Sequence, residues 1–438
     1  MLPGDVLLEI FDFYQAYVIE RFQGWRLLVH VCQRWRQIVF ASPRRLDLRI
    51  PCTRSTPVRK LLYIWPALPI FLSYYSRSIR SNADDAIAAL EHPDRVCDIT
   101  LNVTGSVLKK MEKALQVPFP VLTDLFIKVS PGVGHTLPRE FLGASAPSLR
   151  AISMYSIPYP SLPRLLLSAS DLTHLSLYDI PPTGYISPEA MVVGLAALQR
   201  LKFFSMDFRS ASSRPDRIHP PPTIRTVLPS LYYFKFKGAS EYLEGLVAQI
   251  DSPQLEVIYI NYFNQLADFQ ASQLFQFIDC SVGPRATLFR DVTVTFACRK
   301  VSFDMYPYPM HAGLELVRIT IICEGIDWQV SHMSHLLNQS SVTLSNVVHL
   351  KLTNVKLEGQ LEGMDDVEWR DLLHPFSSAK SLHVSKKFVE HVSLVLENIA
   401  GGIVLPSLDS IHLVGEPASS SKKLLSRRRV AALLPAPS

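Results

Sequence analysis

Charge is scarce in this chain: 19% of its 438 residues are Asp, Glu, Lys or Arg, against 48% hydrophobic residues. A composition this apolar buries enough surface to offset ordering entropy, which excludes a disordered chain. The formal net charge of +5 is thin for the length, so the concentrated basic footprint that nucleic acid requires is missing. Cysteine is sparse too. The six thiols, at 32, 52, 97, 280, 298 and 323, are too scattered for a disulfide or zinc framework. They read as reduced core residues of an intracellular protein, cytoplasmic or nuclear, in which the sequons at Asn102 and Asn338 carry no sugar. No apolar run is long enough to cross a bilayer, since the longest, 61–75, is broken by Pro66 and Pro69. The opening residues do not combine a basic start, an apolar run and a small-residue cleavage site.

Catalytic signatures are also missing. Gly-x-Ser-x-Gly and His-Glu-x-x-His do not occur, and Gly132-Val133-Gly134 lacks the third glycine and the strand-to-helix setting that cradle a phosphate. His332 and His335 lie one helical turn apart, but with no Cys or carboxylate partner near them they read as a solvated surface pair. Asp365, Asp366 and Glu368 read as the polar start of a helix, where its dipole favours carboxylates. No enzyme, metal or cofactor is expected.

What the chain does carry is a repeat. The pattern apolar-x-x-apolar-x-apolar begins at Val96, Leu122, Leu149, Leu172, Leu198, Leu231, Leu255, Phe289, Leu314, Val347, Ala379 and Leu408, at intervals of 23 to 34 residues. Segments 106–116, 241–250, 266–279 and 388–399 between copies hold apolar residues three or four apart, as helices do. One strand plus one helix per interval predicts an α/β fold, an irregular leucine-rich-repeat solenoid over 91–416, with parallel strands on the concave face and helices outside. A doubly wound sheet would need a Gly-rich phosphate loop at a strand end, and none is present. Residues 209–223, rich in Ser, Arg and Pro, read as a mobile loop, functional or a tolerated insertion. Residues 417–438 read as a disordered tail whose Lys422, Lys423 and Arg427-Arg428-Arg429 suit a nuclear address.

Side chains alternate along a strand, so the residues between the apolar ones line the concave face. Central copies supply Tyr155, His174, Tyr178, Arg200, Lys202, Phe204, Tyr233, Lys235, Lys237, Tyr259 and Asn261, a set with no acid. Such a surface suits an acidic or phosphorylated protein segment. The plainer alternative is that strand faces favour aromatic residues in any case.

The first 45 residues form a helical unit too small for its own core. Leu2-Pro3-Gly4-Asp5 opens a helix with Val6, Leu7, Ile10 and Phe11, a second pattern holds Trp25, Leu28, Val29 and Cys32, and a third holds Trp35, Ile38 and Val39. Leu2-Pro3-x-Asp5-Val6-Leu7-Leu8-x-Ile10-Phe11, followed by Val31-Cys32-x-x-Trp35-Arg36-x-Ile38, resembles the F-box. With Ser42-Pro43-Arg44-Arg45-Leu46-Asp47-Leu48 and Trp65-Pro66-Ala67-Leu68-Pro69 behind it, the stretch is similar to the F-box leucine-rich-repeat families of mushroom-forming fungi.

The resemblance implies a non-catalytic substrate receptor of an SCF-type ubiquitin ligase, bound to a Skp-family adaptor and through it to a cullin, capturing a protein target of unknown identity. It places the adaptor-binding residues among Leu2, Pro3, Val6, Leu7, Ile10, Phe11, Leu28, Val31, Cys32, Trp35, Ile38 and Val39. Half of these pack the helices together and the rest meet the adaptor over about 1,600 Å² in total, with Trp35 the expected hot spot. Residues 46–90 are the connection or N-terminal cap of the solenoid. The chain departs from the family pattern in a long loop at 15–23 containing Tyr17, Val18 and Ile19, and in a start one residue before the motif, which reads as shortened. Two other functions fit the residues: a scaffold without a role in degradation, and a nuclear nucleic-acid-binding protein using the basic face and tail.

Overall fold

The computed structural model describes residues 2–17, 24–43, 46, 48–53, 58–75, 83–130, 135–211, 225–263, 269–282, 289–307, 316–340, 343–355, 366–397 and 404–414. They form an α/β fold dominated by parallel strands, in two units, Met1–Gly184 and Tyr185–Ser438.

The first unit opens with helices α1 (Gly4–Tyr17), α2 (Gly24–Val31) and α3 (Gln33–Ala41). Strands β1 (Ile50–Thr53), β2 (Ile70–Tyr75), β3 (Val96–Val103), β4 (Asp124–Val129), β5 (Ala151–Tyr155) and β6 (His174–Ile180) follow. They pair in chain order and all in parallel. Parallel neighbours need crossovers, supplied here by α4 (Val58–Ile64), α5 (Ala83–Leu90), α6 (Gly105–Met111) and α7 (Leu162–Leu166), and by a short 3-10 turn between β4 and β5. Segment 46–90 thus contributes two strands of its own.

The repeats of β4, β5 and β6 are built the same way. The first apolar residue of the pattern sits in a turn, its N–H donated to the carbonyl three residues earlier: Leu122 to Phe119, Leu149 to Ala146, Leu172 to Ala169. The amides that follow reach the preceding repeat, Arg150 and Ala151 to the Thr123 carbonyl, Thr173 and His174 to that of Arg150. The next two apolar residues point inward from the strand, so Leu125, Ile127, Ile152, Met154, Leu175 and Leu177 are all buried. Each such side chain contributes about 1.5–3 kcal/mol of burial.

The second unit repeats this through α8 (Pro188–Leu195), β7 (Phe203–Phe208), β8 (Thr226–Val227), β9 (Tyr233–Gly238), α9 (Ser240–Val247), β10 (Ile250–Asp251), β11 (Val257–Tyr262) and α10 (Ser272–Val282). It continues through β12 (Phe289–Ala297), β13 (Lys300–Pro307), β14 (Leu316–Ile322), α11 (Ile326–Leu337), β15 (His349–Val355), α12 (Asp366–Leu373), β16 (Ser381–Ser385), α13 (Val389–Glu397) and β17 (Ser410–Val414). The short β8 and β10 pair with each other alone. The main order is β7-β9-β11-β14-β13-β12-β15-β16-β17.

Two features differ from the sequence reading. First, β13 is antiparallel to both β12 and β14, so β14 and not β12 lies beside β11. Only Cys298 and Arg299 separate β12 from β13, a link that permits a hairpin and no parallel crossover. Second, the copy beginning at Leu198 is three residues early. Register pairs Phe204 with Phe234 and Met206 with Phe236, so the repeat runs Leu201-x-x-Phe204-x-Met206. The Lys202 carbonyl, which accepts the Tyr232 and Tyr233 amides, marks the same phase.

Of the remaining expectations, α1 continues to Tyr17, so 15–17 are helical rather than loop. Residues 18–23, 212–223, Gly132 to Gly134 and the tail lie outside the described residues. All six cysteines are free, but Cys32, Cys280 and Cys298 are exposed and only Cys52 and Cys323 are buried, because the others fall at turn, helix-end and outer-face positions.

One buried carboxylate ties neighbouring repeats together. Glu244 of α9 accepts the backbone N–H groups of Gln273 (2.8 Å) and Leu274 (2.9 Å), which open α10. These amides have no partner within their own helix, and Glu244 supplies one at the positive end of the dipole. Glu244→Ala leaves both donors unpaired and is expected to cost about 2–3 kcal/mol. Urea denaturation of the two proteins measures this, and an unchanged midpoint would contradict it.

Candidate functional site

Two kinds of surface stand out: an apolar stripe on the N-terminal helices and the open face of the strands. On α1, Leu7 and Phe11 turn inward and are buried, as are Trp25, Leu28, Val29 and Val39 on α2 and α3. Phe11 meets the half-buried Trp35 with ring centroids 4.8 Å apart. Trp25 lies edge-on to Trp65 at 5.1 Å and donates its Nε1–H to the Arg49 carbonyl at 3.1 Å, anchoring the helices to the segment that follows. Arg36 ties α3 to α2 through the Val29 carbonyl at 3.0 Å.

A second stripe of α1 is exposed. Val6, Ile10 and Phe13, spaced four and three residues apart, share one exposed face, with Phe13 69% accessible. Leu2, Leu27 at 61% and Val31 at 59% are exposed as well, together with Pro3 and Cys32. The twelve residues predicted from the resemblance therefore divide. Leu7, Phe11, Leu28 and Val39 hold the helices together; Leu2, Pro3, Val6, Ile10, Val31 and Cys32 face outward; Trp35 and Ile38 lie between. Phe13 and Leu27 were not in that set, although Phe13 continues the spacing of Val6 and Ile10.

On the open face of the first unit, register aligns Asp98, Asp124, Ala151 and His174 in one row, and Asn102, Lys128, Tyr155 and Tyr178 in another. Tyr155 and Tyr178 stack at 4.5 Å, with the Lys128 ammonium 5.6 Å above the Tyr155 ring. His174 is exposed and shares a 2.9 Å contact with Thr173 Oγ1.

In the second unit the corresponding rows run Phe203-Tyr233-Val257, Ser205-Lys235-Tyr259-Arg318 and Asp207-Lys237-Asn261-Thr320. Phe203 and Tyr233 stack almost flat, 4.1 Å apart. The shifted repeat corrects three expected face residues: Phe204 is fully buried, while Arg200 and Lys202 precede β7 in the turn and lie off the strand face. It also brings in acids. Asp207 pairs with Lys237 at 3.0 Å, and Asp304 of the inserted β13 forms a close ion pair with Arg318, whose guanidinium lies 5.8 Å over Tyr259. The acid-free surface expected from the sequence is thus a mixed one whose Lys237 and Arg318 already have carboxylate partners.

His332 and His335 are likewise not a solvated pair. His332 is buried with Nδ1 2.6 Å from the Trp328 carbonyl, and His335 Nε2 is 2.8 Å from the Phe269 carbonyl. His335 also lines a groove of about 540 Å³ with Ser331, Ser334, Asn338, Glu368, Asp371 and His374. Among the described residues no group of three or more His, Cys, Asp or Glu side chains is placed to hold a metal ion, and no helix is long and apolar enough to cross a membrane.

No family model matches the chain, and no curated protein matches it. Among solved structures it is similar to the leucine-rich repeat-containing protein LegL7 from Legionella pneumophila, at 11% identity over 84% of this chain and 90% of that one, with a TM-score of 0.27. At that score the likeness carries no argument, and the repeat architecture rests on the pairings given above.

Burial, and then the neighbouring Asp124, hold the Asp98 carboxyl up to about 6, against the opposing pull of Arg49 and Thr100. A raised carboxyl favours the protonated folded chain. Its stabilising contribution is full below the usual carboxylate range and lost as pH rises through about 6. Asp98→Asn is therefore expected to flatten the fall in thermal midpoint between about pH 5 and pH 7.5. An identical fall in both proteins would rule out this pair as its source.

Proposed function

We propose that this chain is a non-catalytic substrate receptor of an SCF-type ubiquitin ligase. Helices α1–α3 act as an F-box that binds a Skp-family adaptor, and the strand faces capture a target protein. The observation that carries this reading is the exposed stripe of Val6, Ile10 and Phe13 on α1, with Leu2, Leu27 and Val31 also exposed, on helices that bury Leu7, Phe11, Trp25, Leu28, Val29 and Val39. Exposed apolar side chains gathered on one small helical unit favour an interaction site, and Leu2, Val6, Ile10 and Val31 among them carry the F-box resemblance.

Chemistry on this reading belongs to a partner that carries activated ubiquitin. The receptor contributes proximity, raising the effective concentration of the target's lysines. The open strand faces offer stacked aromatic rings, amphipathic groups suited to anchoring a protein segment. Nucleic-acid binding is the weaker reading, because Lys237 and Arg318 are matched by Asp207 and Asp304 on the same face.

Trp35 is a poor test residue, since its ring packs on Phe11 and its loss weakens the helices as well as any interface. Val6→Asp combined with Ile10→Asp alters only exposed positions. Co-expression of the full chain with a fungal Skp-family adaptor, followed by size-exclusion chromatography, is expected to give a one-to-one complex that the double variant loses while keeping its circular dichroism. Absence of a complex with folded wild-type protein, or a complex indifferent to the two aspartates, would refute the reading. A complex that recruits adaptor but no cullin would leave a scaffold without a degradation role.

A further inference from the structure

The last strands of the second unit carry a cluster that neither the repeat core nor the adaptor face uses. Register places His349, Ser381 and Ser410 in one row across β15, β16 and β17, and Lys351, His383 and His412 in the next. The rings of His383 and His412 stack with centroids 4.7 Å apart and planes 22° apart. His383 Nε2 lies 3.2 Å from Ser381 Oγ, and His412 Nε2 lies 3.2 Å from Ser410 Oγ. Both ring nitrogens therefore point toward the row that holds the two hydroxyls and His349.

The charges around this cluster are mostly of one sign. Beside β16, β15 contributes His349 and Lys351, the latter exposed, and β17 contributes His412. Lys380 and Asp409 flank the strand starts, where the Asp409 amide donates to the Lys380 carbonyl. One strand further, β12 faces the cluster with Asp291, the register partner of His349, and with Thr293 and Thr295. Burial, followed by the charges of His412, Lys351 and His349, holds His383 below the usual imidazole range. Near neutral pH His383 is uncharged. As pH falls and His383 takes up a proton beside Lys351, a bound anion would relieve the repulsion.

We propose that the open face of β15–β17 binds an acidic, carboxylate-rich segment of a partner protein, and that falling pH tightens the binding. Imidazole, hydroxyl and ammonium donors spread over three strands, about 10 Å at the usual spacing, match an extended segment better than a single ion. Carboxylates stay ionised between about pH 7.5 and 5.5, whereas a phosphate monoester loses part of its charge over that window and with it the gain from the histidines. A cation is disfavoured by Lys351. The proposal refines the target-binding half of the function given above and is independent of the adaptor half, so either can fail alone.

The test uses the full chain and a rhodamine-labelled peptide of alternating Glu and Ser, with a Gln-Ser peptide as control, in fluorescence anisotropy at fixed ionic strength. Wild-type protein is expected to bind the acidic peptide about fourfold more tightly at pH 5.8 than at pH 7.5, part of the roughly tenfold limit set by moving one imidazole by about one pKa unit. His383→Gln with His412→Gln removes that gain, and Lys351→Ala weakens binding at both pH values. Should the double variant fail to fold, Asp291→Asn, which removes the acid facing the cluster from β12, is expected to tighten binding. Affinity independent of pH, a gain that survives loss of both imidazoles, or a phosphoserine peptide preferred across the range would overturn the proposal.

Discussion

Most repeats depend on one backbone contact, the turn in which the first buried apolar residue donates its amide to the carbonyl three residues earlier. It recurs from Leu122 to Leu408, with Leu231 on Leu228, Leu255 on Ser252, Val347 on Leu344 and Ala379 on Phe376. The turn satisfies a backbone group that would otherwise be stranded in the interior, and it aims the following amides at the carbonyl of the repeat before. Register follows from that turn together with the pairing of inward-facing residues. A slip of one residue would drive Leu125 and Ile127 outward and Asp124 and Phe126 into the core. The rows of the open face, with the Tyr155–Tyr178 stack in the first unit and the Lys237–Asp207 pair and the His383–His412 stack in the second, depend on that alignment.

Much of this was legible in the sequence because the turn and the strand write the same pattern of apolar residues. The places where reading failed have physical causes. Leu195, Leu198, Leu201 and Phe204 are spaced three apart and all buried, and both Leu198 and Leu201 make the turn contact, so two phases fit until the pairing of Phe204 with Phe234 selects the later one. Strand β13 buries Val301, Phe303 and Met305 by simple alternation and lacks the turn residue altogether, so a search for the repeat passes over it. Both misses had the same consequence for the surface: they hid Asp207 and Asp304, and a mixed face was read as a basic one.

The N-terminal helices show the opposite balance. Their apolar spacing was plain, but α1 carries two stripes, Leu7 with Phe11 and Val6 with Ile10 and Phe13, and helical period does not say which is buried. Trp35 of α3 packs on Phe11 and so favours the first stripe, a tertiary effect invisible in local sequence. With Phe11 on Trp35, Val6, Ile10 and Phe13 are the exposed positions. The His383–His412 pair was missed for a related reason: residues 29 apart in the chain become neighbours only through strand register.

The proposed function divides the labour, with α1–α3 docking on an adaptor while the strand faces remain open for a target. Hydrogen–deuterium exchange of the full chain, alone and with a Skp-family adaptor, separates the two surfaces. Slowed exchange is expected only in peptides from residues 2–17 and 24–41, with β7–β17 unchanged. Protection over the strands with the N-terminal helices unaffected would contradict it.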